Sequence, residues 1–362
     1  MTLHDTAARV FLRSAAILLL SAAFFTAKAQ EVTWDVDFAT VFDNREGSNR
    51  YTDTKTFFFT HLAPEIGLRL SEKDRIAGGV VWNQPIGCEW EGARVSPTLY
   101  YRRVDGPWRF SMGMFPRRQL REEMPSFLWS DSLSYHQNNI RGALAQYERP
   151  GRGFFDAYVD WRGMQTATQR EAFNIVFHGR WHPRREGAFF LGGHAMMNHF
   201  ALSRENKENQ HIVDNFLVNP YIGVDLTRKT PLDSLQVRAG LLLTVERNRA
   251  NPLDAWETPC GGWLEVYAGY RRFGLKNSLY AGGRLFPSYL DFGALLYQGE
   301  PFYRSSLYNR TDVWADIIRG DRVGLRASLD FHVTADAFIF YQRRILRVNI
   351  GSRNLPRKPL VL

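Results

Sequence analysis

Segments in which apolar and polar residues alternate strictly recur along almost the whole chain. This period of two constrains the fold more than any other feature. Between Val323 and Val333 the apolar set is Val323, Leu325, Ala327, Leu329, Phe331 and Val333, interleaved with Gly324, Arg326, Ser328, Asp330 and His332. From Leu235 the apolar face is Leu235, Val237, Ala239, Leu241, Leu243 and Val245. Phe155, Ala157, Val159 and Trp161 oppose Asp156, Tyr158, Asp160 and Arg162 in the same way. Successive side chains of a strand point to opposite faces, so such segments read as half-buried β-strands. Up to sixteen are expected, at 32–43, 56–70, 74–84, 93–104, 107–117, 139–148, 152–162, 170–181, 187–201, 213–227, 234–246, 261–272, 275–286, 309–319, 322–333 and 336–349. Counts of twelve or fourteen stay open. Arg343-Arg344 interrupts the last segment and predicts a bulge or an early end there.

The connections alternate in length. Short ones such as Asp105-Gly106-Pro107, Arg149-Pro150-Gly151-Arg152 and Gly320-Asp321 carry the residues that tight turns require. Long ones fall at 44–55, 85–92, 118–138, 163–169, 202–212, 247–260 and 287–308, and the short connection near Thr334-Ala335 is the exception on the long side. Before the first strand, Arg9 and Arg13 precede an apolar run from Ser14 to Phe25, and Ala27-Lys28-Ala29 stands before Gln30. This is the pattern of a secretory signal peptide. The run is shorter than the roughly 20 residues that a membrane-spanning helix needs. Export, β-richness and the lack of a spanning helix predict an all-β chain closed into an antiparallel transmembrane barrel. The expected organisation is a signal peptide at 1–29, the barrel at 30–350 and a C-terminal extension at 351–362.

Composition agrees. Aromatic residues make up 14% of the chain, as expected where both membrane interfaces carry aromatic girdles. Cys88 and Cys260 are the two cysteines. They fall in separate long loops and lack C-x-x-C partners, which argues for free thiols and against structural zinc. The net charge is +9, with 46 basic residues of which seven are lysine. An exported chain rarely meets nucleic acid, so that partner is discounted. Arginine and lysine gather near the short turns, among them Arg102, Arg103, Arg149, Arg152, Arg271 and Arg272. There they read as a periplasmic collar that anchors to lipid phosphates, or as a funnel for anions.

In these features the chain resembles porin-like outer-membrane β-barrels of Gram-negative bacteria. The resemblance is architectural and covers nearly all of 30–350. It implies localisation in the outer membrane, both termini in the periplasm, and an inward-folding loop at 118–138 that narrows the lumen. The chain departs from such barrels by running past its last strand instead of ending on an aromatic residue.

Strand parity and this resemblance nominate Arg141, Asp156, Arg238, Glu265, Arg284, Arg326 and Asp330 as pore-lining residues. Glu122, Glu123 and Asp131 are the candidate constriction residues of the 118–138 loop. Charged rings set pore selectivity, but both signs are present here, and an ion-paired brace is an equal reading. The aromatic run Phe286, Tyr289, Phe292, Tyr297, Phe302, Tyr303 and Tyr308 suits glycan stacking, with loop packing the plainer account. His194 and His199, with Ser203 beyond, bring to mind a barrel hydrolase, although no G-x-S-x-G or H-E-x-x-H motif is present. The expectation is therefore a non-enzymatic channel for small polar or anionic solutes. It takes outer-membrane lipid as its surroundings, homo-oligomers as an option, and no cofactor or metal. A non-conducting barrel that binds a glycan, lipid or envelope partner at its loops is the second reading. A barrel hydrolase is the third.

Overall fold

The computed structural model describes residues 31–351 except 90–91, 206–210, 228 and 251–254, so the segments expected to be the signal peptide and the C-terminal extension lie outside the described residues. The strands are β1 (Glu31–Glu46), β2 (Lys55–Arg69), β3 (Asp74–Pro85), β4 (Arg94–Asp105), β5 (Trp108–Pro116), β6 (Asn139–Arg149), β7 (Gly153–Gly163), β8 (Ala172–Trp181), β9 (Phe189–Phe200), β10 (Val213–Asp225), β11 (Ser234–Asn248), β12 (Cys260–Tyr270), β13 (Phe273–Gly282), β14 (Leu307–Arg319), β15 (Val323–Thr334) and β16 (Phe338–Gly351). Each pairs with its neighbours in sequence, and β1 closes on β16 through a register running from Asp35↔Gly351 to Glu46↔Phe340. The sixteen strands expected from the alternation are all present. Closure leaves no unpaired edge, a necessity in hydrocarbon, where an unsatisfied backbone group costs several kcal/mol.

The burial pattern is inverted relative to a water-soluble domain. Ile66, Leu99, Met112, Ile222 and Leu241 are exposed on the outside, while Asp156, Asn174, His178, Asn219 and Asp330 are buried inside. That is the arrangement of a barrel whose outer solvent is lipid. The last strand corrects the sequence expectation. β16 runs unbroken through Arg343-Arg344, because Arg343 turns inward to Asp330 and Asp131 while Arg344 takes the outward position. The register irregularities lie instead at Asp316/Ile318 and Trp161/Gly163.

Two long connections fold into the barrel. Residues 117–138, between β5 and β6, carry helix α1 (Asp131–His136), which Ser130 caps by accepting from the Leu133 amide. Residues 283–306, between β13 and β14, carry the short helix α2 (Tyr289–Phe292). The two loops pair with each other through Ser130 N–H to Gln298 O and Glu300 N–H to Ser126 O, both 2.7 Å. Phe127 meets Trp263 of β12 and Tyr303 of the second loop edge-on, at 5.8 and 6.0 Å. Phe127, Leu128, Leu296 and Phe302 from the loops join Tyr158, Tyr221, Tyr280 and Tyr341 from the wall in one buried cluster. The lumen therefore holds a packed core.

Candidate functional site

The 117–138 loop is fastened to the wall by charge. Arg117 pairs with Asp160 on β7, Arg118 with Asp35 on β1, and Arg121 with Glu148 on β6. Glu122 lies 3.0 Å from Arg180 on β8 and 3.3 Å from Arg238 on β11. Asp131 bridges Arg310 on β14 at 2.9 Å and Arg343 on β16 at 3.2 Å. Anchors thus stand all around the circumference. Burial alone would raise the Glu122 carboxyl, and Arg238 with Arg180 hold it below its ordinary value. Burial is likewise outweighed at Asp131 by Arg310 and Arg343, which keep that carboxyl far below the usual range.

The other nominated residues divide. Asp156 faces inward, 3.2 Å from His178 Nε2. Arg238 also approaches Glu265 at 3.8 Å, and Glu265 takes Lys276 at 3.3 Å. Arg326 pairs with Asp316 at 2.7 Å, and Asp330 pairs with Arg343. Glu123 is exposed in the same loop. Arg141 is a correction. Ile140 and Leu144 hold the inward parity of β6, so Arg141 is exposed on the outside. Arg284 is another, because β13 stops at Gly282 and leaves it exposed in the following loop. His194 is buried in the lumen wall, with Nδ1 on Asn219 Oδ1 at 3.0 Å. Ser203 is buried and donates to the Glu205 carbonyl of its own loop. The aromatic loop packs inward, with Phe286, Tyr297, Phe302, Tyr303 and Tyr308 all buried. Both cysteines are free and exposed. Among the described residues no group of three or more His, Cys, Asp or Glu side chains is placed to hold a metal ion.

A second constellation lies on the outward face near the ends of strands that adjoin long loops. His199 occupies the outward parity one residue before the end of β9. Its Nε2 is 3.9 Å from Glu171 Oε2, and both side chains are accessible, at 34% and 30% exposure. The imidazole stacks on Phe173 at 4.6 Å, which stacks on Trp161 at 4.8 Å. Trp161 and Phe173 form part of the outer aromatic girdle, so this imidazole sits where hydrocarbon gives way to headgroups. Across the register from His199 is Asp214 on β10, and across from Asp214 is Arg247 on β11. Arg247 and Arg249 both bond the Asp214 carboxylate, at 2.8 and 2.7 Å, so the trio has a net positive charge. Sequence reasoning found His199 but missed Glu171, Asp214, Arg247 and Arg249. The available signal was ionisable residues at outward parity where a strand meets a long loop.

The fold is similar to that of several solved barrels. OccK1 (OpdK) of Pseudomonas aeruginosa matches with a TM-score of 0.50 at 9% identity, over 89% of this chain and 99% of that one. OprD of Pseudomonas aeruginosa matches with a TM-score of 0.52 at 10% identity, over 91% and 98%. The anion-selective porin from Comamonas acidovorans matches with a TM-score of 0.51 at 10% identity, over 89% and 99%. At such identity the likeness is one of architecture, and it agrees with the porin-like resemblance read from the sequence. No curated protein matches the chain. A family model described as Lipid A 3'-O-deacylase-type matches residues 24–347. This overturns the expectation of a non-enzyme, because that description names an enzyme family. Matched from β1 into β16, the chain belongs to the Lipid A 3'-O-deacylase-type family.

Proposed function

We propose that this barrel hydrolyses acyl esters of lipid in the outer leaflet, at its outward rim and not through its lumen. The observation that carries the reading is the His199–Glu171 pair, 3.9 Å apart on the lipid-facing side and stacked into the aromatic girdle. An ester joining an acyl chain to a headgroup lies at that depth. In this scheme His199 takes a proton from water as the water oxygen attacks the ester carbonyl. The tetrahedral intermediate then expels the alcohol oxygen, which receives the proton back from His199. The products are a carboxylic acid and an alcohol. Glu171 orients the imidazole and offsets its transient charge. The positive group Arg247–Asp214–Arg249 lies on the same rim and suits an anionic headgroup. Family membership supports the reaction class, and the packed lumen supports placing the chemistry outside.

The test is release of free fatty acid, read by mass spectrometry, from vesicles containing acylated outer-leaflet lipid and the refolded chain. His199→Ala should lower the rate by about 100-fold or more, in the range general base catalysis supplies, and Glu171→Gln by about 10-fold. Full activity in His199→Ala would place the base elsewhere. A folded wild-type barrel that releases nothing would remove hydrolysis. A second reading, a channel opened by withdrawing the loops, is favoured by the charged wall behind them, including Arg238, Glu265 and Arg326. It requires conductance steps in a planar bilayer from the wild-type chain.

A further inference from the structure

From β7 through β12 the outward side chains between the two rims are apolar, as Val159, Phe177, Ile222 and Leu241 illustrate. Among the described residues, outward amide or charged side chains enter this band mainly on one arc, at Asn277 of β13, Asn309 of β14, Gln342 and Arg344 of β16, and Asn44 of β1, which pairs in register with Gln342; Arg141 of β6 stands apart from them. On β14 Leu307 and Val313 stand outward on either side of Asn309 and Thr311. Leu275 and Leu279 flank Asn277 on β13, while Phe340 and Leu346 flank the polar pair on β16. Asn277 donates to Asn309 at 3.2 Å and to Thr311 at 2.8 Å, so the β13–β14 group is a built polar cluster. Arg344 is exposed, lies 5.7 Å over the Phe42 ring, and has no ion-pair or hydrogen-bond partner among the described residues. A lone guanidinium facing hydrocarbon is costly, and such residues mark a place where something other than lipid is met.

The two polar groups lie at the same depth. The pairing direction runs from Arg344 through Ala327 and Ala315 to Phe273. Followed from Glu46 at the outer end of β1, that direction passes Phe340, Phe331, Thr311, Asn277, Val266, Val237 and Val224 and reaches Phe189 at the periplasmic end of β9. It therefore descends from β16 to β13. With strands about 4.8 Å apart and tilted by about 40°, three steps lower it by about 9 Å. Asn277 stands four residues above Phe273 on β13, which regains about 10 Å.

We propose that the β13–β16 arc is the interface for a second copy of this chain, related by a two-fold axis along the membrane normal. Such an axis keeps depth and exchanges left with right. Centred between β14 and β15, it brings Arg344 and Gln342 of each copy opposite the Asn277–Asn309–Thr311 cluster of the other. The amide oxygens of that cluster accept from the guanidinium. The centre is apolar and partly small, with the registered pairs Ala315↔Ala327 and Val313↔Leu329. Small residues let the two walls approach. The long polar side chains sit at the edges, where two convex walls diverge.

Oxidative cross-linking tests this in vesicles, using the full mature chain with Cys88→Ser and Cys260→Ser. Leu329→Cys, beside the axis, should give a covalent dimer, and Ile222→Cys, on the far side of the barrel, should not. Arg344→Glu should lower the Leu329→Cys dimer at least tenfold and shift the mass in mild detergent to that of a monomer. Arg344→Gln replaces it if the charge reversal fails to assemble. A monomeric Leu329→Cys chain, or equal linking at both positions, overturns the proposal. So does an unchanged dimer in the Arg344 variant. Retention of anionic lipid by a wild-type monomer, lost with Arg344→Glu, would overturn it in favour of a headgroup ligand.

Discussion

His136 ends α1 inside the mouth of the barrel, where burial, with Arg94, Lys55 and Arg45 nearby, lowers its pKa to about 4 from 6.5. The folded chain thus holds it neutral while the unfolded chain binds a proton below 6.5. Stability from this group is fully present above that value and drains away as pH falls toward about 4. Hydrogen exchange of α1 should speed up across that window, and His136→Gln should flatten the dependence. The Asp131 carboxyl is shifted in the same direction from its own ordinary value, so its contribution is lost only at still lower pH. Asp131→Ala leaves Arg310 without one of its two carboxylate partners and Arg343 without one of its own. Loss of a buried partner typically costs about 3–5 kcal/mol. The expected sign is a lower temperature for converting the folded to the unfolded band on a denaturing gel.

At the scale of elements, the strands depend on local pattern and the loops on what they find inside. Gly113 of β5 and Gly142 of β6 face each other in register, with φ of +122° and +157°. A Cβ on Gly113 would meet the Leu99 carbonyl oxygen at 2.3 Å, so Gly113→Ala should slow barrel assembly, measured by the same gel shift during refolding. The loop between β5 and β6 was legible as inward-folding from the porin-like resemblance. Its anchors were not. Arg117, Arg118 and Arg121 meet Asp160, Asp35 and Glu148, partners between 27 and 83 residues away in sequence. Deleting 122–131 removes Glu122, Phe127 and Asp131 together, and with them most of the seam between the two loops. Conductance steps should appear where the wild-type chain is silent. A silent deletion variant would mean that the 283–306 loop closes the lumen by itself.

Over the whole molecule, the period of two determined that the chain is all-β, and the alternation of short and long connections determined which end of each strand carries the long loops. Both are local signals, because a strand's two faces and a turn's chemistry depend on residues only a few positions apart. Parity placed Asp156, Arg238, Glu265, Arg326 and Asp330 inside correctly, and it failed at Arg141 and Arg284, where a strand had begun or ended within a residue or two. Closure of β1 on β16 decided the rest. Only once the wall is circular does a loop of mixed charge find carboxylates and guanidiniums on every side and pack the lumen. Only then do Glu171 and His199 meet at the outer rim, and Asn277 come level with Arg344. Those proximities depend on strand number, tilt and register accumulated around the barrel, quantities that no local stretch of sequence contains.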